Sequence, residues 1–321
     1  MKLVTIDCVP GGRAGAVLST GEVLHLERAA MAGTTEVFLP TRLRGILAGG
    51  DEGIHLAGRI VARVEAANAS ELVRLRDSGV VLPSTTRLLA PIPDPALFVS
   101  CGQAYRSHVA EMKSEQPPAE PHAFLKAAAT IIGPSAEVAL PPQCSDQVDY
   151  EGELCVVFGK SCHNVTSANA LSYIAGYTLT NDLSARNWVP GIAAAKTVAQ
   201  ARHAWDLNHM GKQLPGFSPL GPALVTVDEI DDFSSLRLVT RLNGQVMQDA
   251  ETSDLIYSVA DTIAYFSKWY SFRPGDILST GTPSGVGYGR IPKVFLKPGD
   301  LVEVEVRGIG VLKTHIAISD S

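Results

Sequence analysis

The sequence predicts a sheet-dominated α+β protein, and three features carry that expectation. Short apolar runs bounded by Gly, Pro or Asp recur through most of the 321 residues, as strands of antiparallel or mixed sheets do. An Asn-Gly pair at 243–244 separates two apolar runs, a strong hairpin signal. Helical periodicity is confined to a few windows, so helices are expected at the periphery. With 45% hydrophobic residues and a net charge of −6, the chain can bury a core and is no solvated coil.

In chain order, KLVTIDCV, a GGRAG turn, AVLST and EVLHL read as a β-meander with tight glycine connections. Residues 56–76 carry apolar positions at helical spacing and predict one or two amphipathic helices. Prolines 91, 93 and 95 then interrupt the pattern, which places a boundary between a small N-terminal domain (1–87) and a larger C-terminal domain (88–321). In the second part AFLK, TIIG, GELCVVFGK, IAGYTLTNDLS, PALVTVDEI, RLVTRLNGQVMQ, GDILSTGTP and LVEVEVRGIGVLKTHI predict strands. SHVAEMK, SANALSYIA and the stretch from Ser253/Asp254 to Trp269 predict helices, while 188–210 reads as an elaborated loop.

Several function classes drop out at this level. Lys and Arg total 27 against 33 Asp and Glu, so a basic face for nucleic acid or an anionic membrane is not expected. No apolar run approaches the roughly 18–20 residues of a membrane span. Five cysteines without a CxxC pair argue against a disulfide scaffold or a thiolate zinc site and fit reduced thiols in the cytoplasm. The opening MKLVTIDCVPGG lacks the apolar stretch of a signal peptide.

The chemistry concentrates in a few segments. In DYEGELCVV, alternation puts Glu151 and Glu153 on one face of a strand. Adjacent carboxylates raise one another's pKa unless a cation lies between them, and an oxygen-only pair suits Mg²⁺, Mn²⁺ or Ca²⁺. A solvated strand edge is the plainer alternative. Asp182, at the end of the strand GYTLT, either points into a site or caps a turn. His108 and Glu111 share a helix face, where the pair can remove a proton from water or form a weak surface ion pair. Lys212 lies in a Gly/Pro-rich loop, and the loop at Thr282 offers N–H groups and a hydroxyl to a carboxylate. Arg106 and Lys126 either meet a second substrate carboxylate or are a surface arginine and a strand-edge lysine. His203 and His209 read as surface or loop residues.

Taken together, these segments resemble the fumarylacetoacetate hydrolase family over roughly residues 88–318, with five landmarks in family order. LLAPIPDPALFVSCGQAYRSHVAEM resembles the entry segment with its lid helix, DYEGELCVVFGK the metal-binding strand, and GYTLTNDLSAR the source of the third carboxylate. GKQLPGFSPLGPALVT resembles the segment of the active-site lysine, and GDILSTGTPSGVG with LKPGDLVEVEVRGIGVL the closing half. The resemblance implies a mixed β-roll catalytic domain, a homodimer, and one Mg²⁺ or Mn²⁺ per subunit held by Glu151, Glu153 and Asp182. It implies catalytic roles for His108, Glu111 and Lys212, and substrate contacts from Tyr105, Arg106, Lys126 and Thr282. The expected activity is hydrolysis of the C–C bond of a 2,4-dioxo acid of acylpyruvate or fumarylpyruvate type, in aromatic-compound catabolism. An isomerase or decarboxylase of 2-oxo or 2-hydroxydienoate diacids, or a hydrolase of a sugar-derived dioxo acid, is the alternative. Two departures stand out: Gln103-Ala104 precedes Tyr105 where many members have Leu-Asn, and Asn187-Trp188 follows the SAR triplet.

Overall fold

The strand Gly152–Phe158 lies at the middle of the protein and is buried along its whole length in the computed structural model, which describes residues 1–33, 38–113, 116–230 and 232–317. It pairs antiparallel with Ile174–Asn181 on one side and Ile277–Ser279 on the other. Beyond Ile174–Asn181 comes Ser218–Thr226, whose Leu224 and Val225 pair with Leu3 and Lys2. The expected N-terminal meander (Lys2–Ile6, Arg13–Val17, Val23–His25) therefore extends the same sheet. On the other flank Phe98–Gly102 joins in parallel and His122–Leu125 closes the edge of this mixed twelve-stranded sheet.

From Leu154 to Phe158 this strand is apolar on both faces because both faces are covered. Cys155 and Val157 pack into a core shared with the N-terminal helices, while Leu154, Val156 and Phe158 enter a second core. That second core lies against a five-stranded sheet ordered Gln245–Glu251, Arg237–Leu242, Leu301–Val306, Gly310–Ile316 and Glu137–Val138. The predicted hairpin is its edge, with Asn243 and Gly244 both left-handed (φ 52° and 82°), as a two-residue turn between twisted strands requires.

The two sheets approach closely at Gly152, between the two glutamates. A β-carbon there would lie 2.1 Å from Thr240 Oγ1 and 3.2 Å from both Val304 γ-carbons. Gly152→Ala is therefore expected to cost about 1–3 kcal/mol by overpacking. A shift of the strand to relieve the clash would displace Glu151 and Glu153, so a divalent ion held between them should bind more weakly. Urea unfolding and metal titration of the variant check both effects.

Residues 56–76 fall in two helices, Gly50–Glu65 and Ala69–Asp77, the second capped by Asn68. The helix expected from Ser253/Asp254 begins later, at Val259, where Ser258 Oγ accepts from the Asp261 N–H at 3.1 Å. The reason is tertiary: Leu255 is drawn into an extended bridge with Tyr105. The 188–210 stretch is not a loop but two packed helices, Val189–Ala194 and Val198–Met210, with Pro190 in the first turn of one and Thr197 capping the other. Among the described residues no helix is long and apolar enough to cross a membrane. All five cysteines are free thiols, and only Cys8 is exposed.

Candidate active site

Antiparallel pairing of Gly152 with Asn181 brings Glu151, just before one strand, beside Asp182, just after the other. The Asp182 N–H donates to the Glu151 carbonyl at 2.8 Å. One oxygen each of Glu151, Glu153 and Asp182 lies within 4.8 Å of the others, and the residues are only 5%, 1% and 2% exposed. A solvated edge and a turn cap are thereby both excluded.

Three cations sit around these acids. Lys212 Nζ donates to Glu151 Oε2 at 2.6 Å, Asp182 Oδ2 at 2.7 Å and Ser184 Oγ at 2.6 Å. Lys126 Nζ, fully buried, donates to Asp182 Oδ1 at 2.6 Å and to the Lys212 and Phe217 carbonyls. Arg186 bridges Glu151 and Asp149, and Asp149 also accepts the Gly287 and Tyr288 N–H groups at 2.7 and 2.9 Å. Burial works to raise Glu151, but Lys212 and Arg186 override it and hold the carboxyl well below its usual range. Burial pulls Lys212 down, yet Asp182 and Glu151 outweigh that and keep it above the ordinary lysine value. For Lys126 burial wins and the value falls.

Glu153 is the exception. Its Oε2 accepts from the Ser279 and Ser100 hydroxyls, and it has no cationic side-chain partner among the described residues. Burial, then Asp182 and Glu151, push it well above the carboxylate range. Counted as ionised, four buried acids face three buried cations among the described residues, one formal negative charge in excess. A carboxylate oxygen offers two lone pairs, so those already hydrogen-bonded can still bind a cation. Oxygen-only donors and excess negative charge fit a hard divalent ion at Glu151, Glu153 and Asp182.

Glu151 and Glu153 line a cavity of about 110 Å³ together with His108, Lys212 and Thr282. His108 Nδ1 lies 3.2 Å from Glu111 Oε2, and Glu111 Oε1 accepts the Gly285 N–H at 2.8 Å. A carboxylate accepts, so the Nδ1 proton is assigned to this bond and Nε2 is left as the basic nitrogen. Thr282 Oγ1 donates to the Gly152 carbonyl at 3.0 Å and accepts from Gln248 Nε2 at 2.7 Å. Its hydroxyl proton is therefore already committed to the backbone.

The structure does not bring every expected contact to the cavity. Tyr105 is fully buried in the core behind it. Arg106 turns away and donates to the Ser253, Leu255 and Ile256 carbonyls, tying the His108 helix to that segment. Lys126 lies beneath Asp182 and not on a strand edge facing substrate. Conversely, His209 is not merely a surface residue: it lines the mouth with His122, Phe124, Trp205 and Asn208. Its ring stacks on Phe124 at 5.4 Å, and Trp205 is tilted 5.9 Å from it. Asp149, Arg186 and Gln248 were also missed as supports. The alternation that joins Glu151 to Glu153 extends back to Asp149 and would have found it.

Comparison with known proteins identifies the family. The model for the fumarylacetoacetate (FAA) hydrolase C-terminal family matches residues 98–317. The chain is 41% identical over 233 residues, 72% of its length and 70% of the relative's, to the mitochondrial oxaloacetate tautomerase FAHD2A of Homo sapiens. Among solved structures, a putative HpcE protein from Mycobacterium smegmatis superposes with a TM-score of 0.80 at 31% identity, covering 100% of both chains. A fumarylacetoacetate hydrolase from Exiguobacterium antarcticum does so with a TM-score of 0.73 at 27% identity, covering 99% of this chain and 100% of that one. Shared sequence, fold and a buried acidic triad lead to one assignment: the chain belongs to the fumarylacetoacetate hydrolase family.

Proposed function

We propose that the chain catalyses metal-dependent keto–enol interconversion of a short 2-oxo dicarboxylic acid of the oxaloacetate kind. The observation that carries this reading is His108, whose Nδ1 is committed to Glu111 while the ring lines a small cavity beside the acidic triad. Glu151, Glu153 and Asp182 would hold a Mg²⁺ or Mn²⁺ ion, which would supply Lewis-acid polarisation of the 2-oxo group. His108 Nε2 takes a proton from C3, and the C–H electron pair forms the C2=C3 bond as the oxo oxygen becomes anionic. The imidazolium then returns the proton to that oxygen, giving the enol and a neutral ring. Glu111 stabilises the transient imidazolium and fixes its orientation. Lys212 offsets negative charge beside the reacting oxygen.

Two facts support a small substrate. The cavity, at about 110 Å³, is well below the ~300–1,000 Å³ of sites for drug-sized ligands. The human relative bears the name of an oxaloacetate tautomerase. Hydrolysis of an acylpyruvate-type C–C bond is the second reading, favoured by the same His108–Glu111 pair, which can equally deprotonate a water.

Metal-stripped protein should leave the approach of oxaloacetate enol to equilibrium, followed by ultraviolet absorbance, at the uncatalysed rate. Addition of Mg²⁺ or Mn²⁺ should restore acceleration. Parallel assays with an acylpyruvate and fumarylpyruvate, with products identified, separate the two readings. Metal-dependent release of pyruvate without any effect on the enol would replace tautomerisation by hydrolysis.

A further inference from the structure

We infer that His122 and His209, at the mouth of the cavity, bind the distal carboxylate of the substrate and so select dicarboxylic over monocarboxylic 2-oxo acids. This rests on the functional reading above and adds a substrate determinant to it.

The cations around the triad are already committed. Lys212 holds Glu151 and Asp182, Arg186 holds Asp149 and Glu151, Lys126 holds Asp182, and Arg106 is bound to carbonyls outside the cavity. A second substrate carboxylate must find its donors elsewhere. His122, on the edge strand His122–Leu125, and His209, on the helix Val198–Met210, both line the same cavity. They lie near enough for charge on His209 to weigh on His122. Neither imidazole nitrogen has a hydrogen-bond partner among the described residues, so both are available to a ligand.

Both rings are also held in place. His209 stacks on Phe124, which in turn lies 5.3 Å from the Lys212 ammonium, so ring, phenyl and catalytic lysine form one stack. Stacking covers the ring face and leaves its N–H edge for hydrogen bonding. His122 pairs in register with Gly102, where a β-carbon would lie 2.7 Å from its Nε2. Gly102 thus provides the space in which the His122 ring lies. Burial lowers the pKa of both rings, and a neutral imidazole still donates one N–H to a carboxylate.

The test titrates Mg²⁺-loaded protein with fresh oxaloacetate and with pyruvate, which has the same 2-oxo acid end and no distal carboxylate. The variants are His122→Ala with His209→Phe, which keeps the stack and removes the nitrogens, and the milder pair His122→Gln with His209→Gln. The first pair should weaken oxaloacetate binding about 10–100-fold and change pyruvate binding by less than about two-fold. The glutamine pair should recover part of the loss, because its amides still donate. Parallel weakening of both ligands, or no weakening of oxaloacetate, overturns the inference while leaving the functional reading intact. Failure of the unsubstituted, metal-loaded protein to bind either acid overturns the functional reading and the inference with it.

Discussion

Glu111→Gln should lower kcat by about 10²–10⁴-fold, the span that a positioned proton-transfer group contributes, while metal affinity and thermal midpoint stay near those of the parent protein. The asymmetry follows from what Glu111 touches. Its Oε1 accepts the Gly285 N–H and its Oε2 faces His108 Nδ1, but it is not among the triad carboxylates. Glutamine keeps the shape and one oxygen acceptor but loses the charge that favours imidazolium. If its amide nitrogen turns toward Nδ1, the ring adopts the wrong tautomer and Nε2 carries the proton. His108→Gln removes the base itself and should cost at least as much. The His108→Gln, Glu111→Gln double variant should be little worse than His108→Gln, because Glu111 acts through the ring. Stopped-flow rates with a parallel metal titration read all three. Unchanged turnover in Glu111→Gln would remove the dyad from the mechanism.

What could be read in the sequence follows from the range of the forces involved. Glu151 and Glu153 share a face through the two-residue period of a strand, and His108 and Glu111 through the turn of a helix; both are local rules that need no tertiary information. The Asn243-Gly244 hairpin is local in the same sense. Lys126 shows where locality ends. Its strand and its neighbours give no sign that 86 residues later a turn will present two carbonyls to its ammonium beneath Asp182. Arg106 fails similarly, because its partners at 253–256 are brought to it by the Tyr105–Leu255 bridge. His209 was within reach: Trp205, Asn208 and His209 recur at i, i+3 and i+4, a polar–aromatic face visible once 188–210 is read as helical.

The supports around the triad also explain why so many charges can lie in the core. An isolated buried carboxylate is costly, and Glu151 and Asp182 are each held by two cations, while Arg186 and two N–H groups offset part of the burial that still raises Asp149. Among the described residues Glu153 is the one of the four without a cation, and burial with its acidic neighbours drives it furthest toward protonation. A proton on Glu153 in the metal-free protein and a divalent ion in the loaded one are alternative ways of discharging the same excess.

Lys212→Met puts that balance to its hardest test and should destabilise the metal-free protein by about 3–5 kcal/mol, the usual cost of removing one partner from a buried ion pair. Methionine fills much of the same space, so the loss reports charge and not a cavity. Lys212 is 7% exposed, and its ammonium holds Glu151, Asp182 and Ser184 at once, so its removal leaves two carboxylates facing each other. The sign with pH is fixed by the direction of its shift. The folded-state value is raised above 10.5, so the stabilisation is complete below that pH and is lost only as pH rises through the folded value. Urea unfolding at pH 7 therefore reads the full effect, and pH 6 should give the same difference for this group. A divalent metal bound at the triad should raise the unfolding midpoint of the variant more than that of the parent, because positive charge is what the variant lacks. Turnover should fall as well, with saturating metal recovering stability but not rate, since the ammonium beside the reacting oxygen is still missing. A variant as stable as the parent without metal would show that Glu151 and Asp182 do not depend on Lys212 for their burial.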